Sequence, residues 1–191
     1  MKLVLFSFIL LFSFSSALIA AEGDTVKVQS HQETHWDWYG NWYDTTAFPA
    51  SGEYRRIIMY YTLGCPSGGC SEWDYTTKIE VEDPINDSTS RWVELTRIIT
   101  PYAGNKGNSW EFVYEIDVTD YAPVLTGERR VRAHYSGYQD GFTVSIDFDF
   151  IEGTPPREVL EVTTLYDGTF KYGFSNDPIE NHLVPTDITM H

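Results

Sequence analysis

The chain has 191 residues, 13 of them basic and 28 acidic, for a net charge of −15. Such a surplus repels phosphate backbones and excludes nucleic acid as a natural partner. Aromatic residues make up 16% of the chain, six of them tryptophan, which is too many for an acidic disordered segment. They suit a β-rich core, or exposed stacking surfaces of the kind that hold sugars.

The first 21 residues, "MKLVLFSFILLFSFSSALIAA", combine one lysine, an apolar run and small residues around Ala17, Ala20 and Ala21. The apolar core is short and polar sequence follows it, so a cleaved secretory signal peptide is expected here rather than a membrane anchor. Cleavage removes Lys2 and leaves 12 basic residues against 28 acidic, a net of −16. No membrane span is expected after cleavage, and the mature chain is expected to be secreted or periplasmic.

The stretch "HQETHWDWYGNWYD" (31–44) comes next. His31 and His35 are four apart, a metal-binding spacing only on a helix, and the Tyr, Trp and Gly that follow argue against one. A loop is expected, with two readings open. Trp36, Trp38, Trp42 and Tyr43 form a sugar-stacking platform, or alternate residues fill the end of a sandwich. Strands rich in β-branched and aromatic residues are predicted at 25–30, 53–63, 73–81, 91–100, 110–118, 129–138 and 142–151. The clusters "DPINDSTS", "PYAGNKGNS", "LTGE" and "GYQDG" mark turns between them. A helical turn is expected around "DVTDYAPVL", capped by Thr119 or Asp120. No long apolar repeat has helical spacing, so the fold is predicted to be an all-β antiparallel sandwich of the jelly-roll kind. In "SIDFDF", Asp147 and Asp149 alternate with apolar residues as one wet and one dry face. A calcium site there is a lesser alternative. "GTPPRE" (153–158) breaks the pattern, because two prolines cannot continue a central strand. Residues 22–155 are thus expected to form the first domain, with 156–191 a linker and the start of a second β unit opening with a strand at Val159.

Both cysteines fall in "GCPSGGCSEWDY" (64–75). Secretion makes a Cys65–Cys70 disulfide reasonable, and a zinc site would need more soft ligands. So short a loop contributes only about 2 kcal/mol by chain entropy, which makes local rigidity its better rationale. Strand alternation places Trp73, Tyr75, Thr77, Ile79 and Val81 on a core face. Asp74, Thr76, Lys78, Glu80 and Glu82 take the outward face. Asp74 then stands at a strand mouth beside a stapled loop, where binding groups are well supported.

The run "CPSGGCSEWDYTTKIEV" resembles the N-terminal half of the bacterial peptide-N-glycosidase F family, in which a C-x4-C disulfide precedes an E-W-D triplet. "RIITPY" (97–102), "EIDVTDY" (115–121), "LTGE" (125–128) and "VSIDFDFIEGTP" (144–155) are similar to family segments in the same order. The likeness covers residues 46–157 well and continues more weakly to 185. It implies two eight-stranded jelly rolls side by side and a cofactor-free amidase. That amidase cuts the bond between an asparagine side chain and the first N-acetylglucosamine of an N-glycan, so the implied partner is a glycan or an N-glycosylated protein. Asp74 matches the catalytic carboxylate and Trp73 the tryptophan beside it. Ile99 and Tyr102 match the substrate-side loop, Tyr138 a neighbouring aromatic. Two positions depart from the pattern: Tyr75 replaces an arginine and Ser136 a supporting glutamate. A further family glutamate lies in the second domain, beyond His191, so the 191-residue chain alone is not expected to release glycan. The same superfamily includes copper monooxygenases, but the His and Met content here is too low for two coppers. A non-catalytic glycan-binding domain of the same fold is the competing reading.

Overall fold

The computed structural model describes residues 23–102 and 106–164. The expected signal peptide, and all but the first residues of the expected second unit, lie outside them. The described residues form nine strands and a single 3-10 turn. The strands are β1 (Thr25–Gln29), β2 (Thr34–Trp36), β3 (Gly40–Ala47), β4 (Tyr54–Gly64), β5 (Thr76–Asn86), β6 (Thr89–Ile99), β7 (Glu111–Asp117), β8 (Glu128–Tyr135) and β9 (Phe142–Glu152). One sheet runs β1-β9-β4-β7, with β2 also on β9, and the other runs β3-β8-β5-β6. Every pairing is antiparallel. β1 and β2 pair with successive parts of β9, so they act as one interrupted strand. Counted that way, the sandwich has the eight strands expected.

Period-two patterning explains the core. On β9, Phe142, Val144, Ile146, Phe148 and Phe150 are buried while Thr143, Ser145, Asp147 and Asp149 are partly exposed. The two aspartates meet side chains of β1: Lys27 Nζ is 2.8 Å from an Asp149 carboxylate oxygen, and Gln29 Nε2 donates to Asp147 Oδ1 at 3.0 Å. Across the sandwich, Ile79, Val81, Val93, Leu95, Val131, Ala133 and Tyr135 complete the packing. Tyr61 of β4 and Thr77 of β5 join the sheets by a buried hydroxyl pair at 2.9 Å, and burial raises the Tyr61 phenol pKa far above normal.

Several expectations need correction. The segment 31–44 is not a loop but largely strand: β2 and the start of β3 are built from it. Cross-strand partners Phe142–Val144 and Arg132–Tyr135 supply the order that its mixed composition does not signal. The cap of the turn after β7 is neither Thr119 nor Asp120. Asp117 Oδ1 accepts the Thr119 backbone N–H at 3.0 Å, while Thr119 Oγ1 accepts from Ile57 N. That work holds the Asp117 carboxyl below its usual pKa, chiefly through the Thr119 hydroxyl. Between Gly153 and Thr164 there is no strand, so none begins at Val159 within the described residues. That segment is tied back to the sandwich instead, with Arg91 donating to the Val162 carbonyl at 2.7 Å.

Glu80 is not on a wet face. It is 6% exposed, because Arg132 covers it: Arg132 Nε donates to Glu80 Oε2 at 2.7 Å, and the guanidinium lies 4.2 Å from the Trp92 ring centroid. Removing Arg132 strands a buried carboxylate. Arg132→Ala is expected to cost about 3 kcal/mol, seen as a melting-temperature drop of about 10 °C. Arg130→Ala is the control, since its contact with Glu82 is half-exposed at 3.4 Å and worth at most about 1 kcal/mol. Equal losses in the two variants would show that burial of Glu80 is not the cause.

His31 is buried too, between Ser30 Oγ at 3.0 Å and the Trp42 carbonyl at 3.2 Å. Its Nε2–H must donate to that carbonyl, so Nδ1 accepts from Ser30, which in turn accepts from Thr46 at 2.9 Å. Desolvation lowers the imidazole pKa from 6.5. The neutral ring therefore stabilises the fold above the unfolded value, and the contribution is lost as pH falls below about 6.5. A denaturant series is expected to show this acid-side loss, and His31→Gln to flatten it. An unchanged slope in His31→Gln would assign the loss to other groups.

Candidate functional site

The candidate site is the end of the β3-β8-β5-β6 sheet where β3 and β5 begin and β8 and β6 end. Register aligns Gly40 with Tyr135, Thr77 with Tyr135, and Thr76 with Ile99. Four segments therefore leave the sheet side by side, in the order 38–39, 136–138, 73–75 and 100–102. At about 4.8 Å between strands the row spans about 14 Å.

Asp74 belongs to the third segment. It is exposed, and its side chain has no hydrogen bond or ion pair among the described residues. It does not sit inside β5, which starts only at Thr76. The expected strand opening at Trp73 is therefore wrong, and Trp73 is not a core residue: it is 49% exposed and meets Tyr102 edge to face at 5.5 Å. The segment is nonetheless held. Tyr75 N donates to Thr100 Oγ1 at 2.9 Å, and Thr100 N donates to the Tyr75 carbonyl at 2.8 Å. Ser136 N donates to the Thr76 carbonyl at 3.1 Å, which ties the end of β8 to the same point.

The disulfide forms the back support. Cys65 and Cys70 are bonded, with their Cα atoms 4.6 Å apart. Cys65 N donates to the Trp110 carbonyl, and Asn108 Nδ2 donates to that of Ser67. Gly69 has φ +96°, which a side chain would resist, so glycine is needed to close the loop. Mass spectrometry of the unreduced protein is expected to show no alkylatable thiol. Two alkylated cysteines would remove the support.

The loop after β8 is fixed against this staple. Ser71 Oγ donates to Gln139 Oε1 at 2.9 Å, Ser71 N donates to the Gly141 carbonyl, and His35 Nε2 lies 2.6 Å from Asp140 Oδ1. Gly141 also donates to the Trp36 carbonyl, and a Cβ there would sit 2.6 Å from that oxygen. Ser71 and Gln139 were not singled out from sequence, and His35 was weighed only as half of a metal pair with His31. The only signal for the first two was the turn cluster "GYQDG" beside a cysteine loop.

No protein-family model matches the chain. Over 114 residues, 58% of this chain, the sequence is 34% identical to peptide-N(4)-(N-acetyl-beta-D-glucosaminyl)asparagine amidase F of Elizabethkingia miricola. That match supports a domain similar to the peptide-N-glycosidase F family. The matched stretch amounts to 31% of that relative's length. Among solved structures, a recombinant peptide:N-glycanase F superposes with a TM-score of 0.57 at 29% identity, over 69% of this chain and 43% of that one. PNGase F, a glycosylasparaginase from Flavobacterium meningosepticum, gives 0.56 at 28% identity, over 70% and 43%.

In this peptide-N-glycosidase F-like domain the expected site residues separate into two groups. Trp73, Asp74, Ile99, Tyr102, Ser136 and Tyr138 gather at the one sheet end, and Ile99, Tyr102 and Tyr138 are 60–64% exposed. Tyr75 is half-buried instead, edge to face with Tyr135 at 5.5 Å. The position that differs from the family arginine thus carries a packing ring and no charge. Of the tryptophans suggested as a platform, Trp36 is fully buried and Trp42 is half-buried against it at 5.9 Å. These two fill the sandwich end; only Trp38, 55% exposed, faces out. The described residues hold no cluster of three metal-ligating side chains. They also contain no helix long and apolar enough to cross a membrane. A cleft lined by Arg55, Arg56, Asp117, Asp120 and Arg157 lies at the opposite end of the sandwich. Two of its cations, Arg56 and Arg157, pair with Asp117 and Asp120.

Proposed function

We propose that this chain is the Asp74-bearing half of a secreted amidase acting on N-glycosylated protein, with Asp74 as the catalytic carboxylate. The observation that carries the reading is an exposed carboxylate with no partner among the described residues, on a braced backbone within a row of exposed aromatics. A carboxylate so placed can take a proton from the water that attacks the asparagine amide carbon. The carbon–nitrogen bond then breaks as that proton passes to the departing nitrogen, leaving aspartate on the peptide and the glycan as a glycosylamine. Trp73 and Tyr102 offer apolar rings to the first sugar. The reaction also needs donors for the developing oxyanion. Tyr75 supplies no charge, so the reading needs them from a second β unit following residue 155, packed against this sheet end.

A binding-only domain is the alternative, and Ser136 favours it. The strand end nearest Asp74 brings no second carboxylate, and the next acid, Asp140, is engaged by His35. The complete gene product, incubated with a denatured N-glycoprotein, decides between the two. Released glycan and new aspartate at the former glycosylation site are expected. Saturable glycan binding without release would leave the binding domain.

A further inference from the structure

Trp38 and Tyr39 meet Tyr138 at the β3 end of the same row, on the far side of Ser136 from Asp74. Tyr39 and Tyr138 are nearly parallel, 9° apart with centroids at 5.8 Å. Trp38 stands across Tyr138 at 80° and 6.0 Å, and Tyr39 meets His134 at 88° and 5.5 Å. The rings thus form one exposed cluster in which Tyr39 stacks on Tyr138 and Trp38 stands across it, a corner of aromatic surface. Although packed on one another, all three remain 53–60% exposed. That much aromatic surface is costly to leave in water.

The corner is also rigid. Gly40, directly after Tyr39, is paired with Tyr135, and the Tyr138 loop is held by the Ser71–Gln139, His35–Asp140 and Trp36–Gly141 contacts. Preorganised rings of this kind lose little freedom on binding. Asp37 and Asp140 flank the corner and are exposed. Their charge disfavours an anion, and their oxygens accept hydrogen bonds from hydroxyl groups. An apolar surface rimmed by acceptors matches a pyranose, whose C–H face is apolar and whose edge is hydroxylated.

We propose that Trp38, Tyr39 and Tyr138 form a second saccharide subsite, which holds a neutral sugar further along the glycan whose reducing end lies at Asp74. The inference rests on the reading above for its direction. Segments 38–39 and 73–75 lie two strand spacings apart, about 10 Å, on the scale of a short oligosaccharide, so one ligand reaches both. The subsite sets preference for glycan length, and the carboxylate acts without it.

Calorimetric titration of the full chain tests this with two probes, N,N′-diacetylchitobiose and the free N-glycan core pentasaccharide. The pentasaccharide is expected to bind about tenfold more tightly than the disaccharide. The Trp38→Ala/Tyr39→Ala variant is expected to lose that advantage and keep its disaccharide affinity and melting temperature. Trp73→Ala is expected to weaken both probes. Wild-type and Trp38→Ala/Tyr39→Ala chains with the same pentasaccharide affinity would overturn the subsite, as would a wild-type chain that binds no pentasaccharide. The amidase reading fails separately. A length preference lost with Trp38 and Tyr39, in a complete gene product that releases no glycan, would keep the subsite and remove the catalytic role of Asp74.

Discussion

Asp74→Asn in the complete gene product is expected to reduce glycan release by about 10²- to 10⁴-fold, the usual cost of losing a general base. Asparagine has nearly the same shape but cannot take a proton from water. Asp74 is exposed and has no partner in the described residues, so stability is expected to change by less than about 0.5 kcal/mol. Asp147→Asn is the matched control. Its carboxylate also lies at a strand surface, but in the other sheet, where it accepts from Gln29. Its activity should stay at the wild-type level. Equal losses would indicate a general effect of negative charge. Full activity in Asp74→Asn would leave the family fold without its proposed mechanism.

Trp36→Ala is expected to give the largest stability loss, about 3–5 kcal/mol, a sizeable share of the roughly 5–15 kcal/mol that holds a domain folded. Trp36 is fully buried and lies 5.5 Å from the Tyr135 ring at an interplanar angle of 20°. Its carbonyl receives Gly141 N–H, so the vacated space would also loosen the loop that carries Tyr138. Trp36→Phe is expected to cost less, because the buried indole N–H has no acceptor among the described residues. Trp38→Ala, two positions away, is expected to change stability by less than about 0.5 kcal/mol. Urea unfolding of the three variants checks the order. A tolerant Trp36 and a sensitive Trp38 would reverse the assignment of which ring is core.

The contrast between those two tryptophans marks how far local sequence reaches. Alternation in "FTVSIDFDFI" revealed β9 and its buried face, because a strand between two neighbours with one wet face writes its period into the chain. The same signal revealed β4 through β8, and turn residues separated them. The compartment and the C-x4-C spacing indicated the disulfide, since closing so short a loop needs only nearby residues. Asp74 stood out as a candidate because the staple and the E-W-D triplet are contiguous.

Other features depend on neighbours distant in sequence. β2 and β3 form because β9 and β8 offer them edges, so a run of mixed polar and aromatic residues became strand. Glu80 looked wet by alternation and is buried because Arg132, 52 residues later, folds over it. Trp73 looked like core by the same count. It is exposed because β5 begins three residues late, after Thr100 has bonded both sides of Tyr75. The sequence determined by itself an all-β chain with a stapled acidic loop. Which aromatic rings are buried, and that four strand ends meet around Asp74, was decided by the tertiary structure, because burial and register depend on partners that only folding brings together.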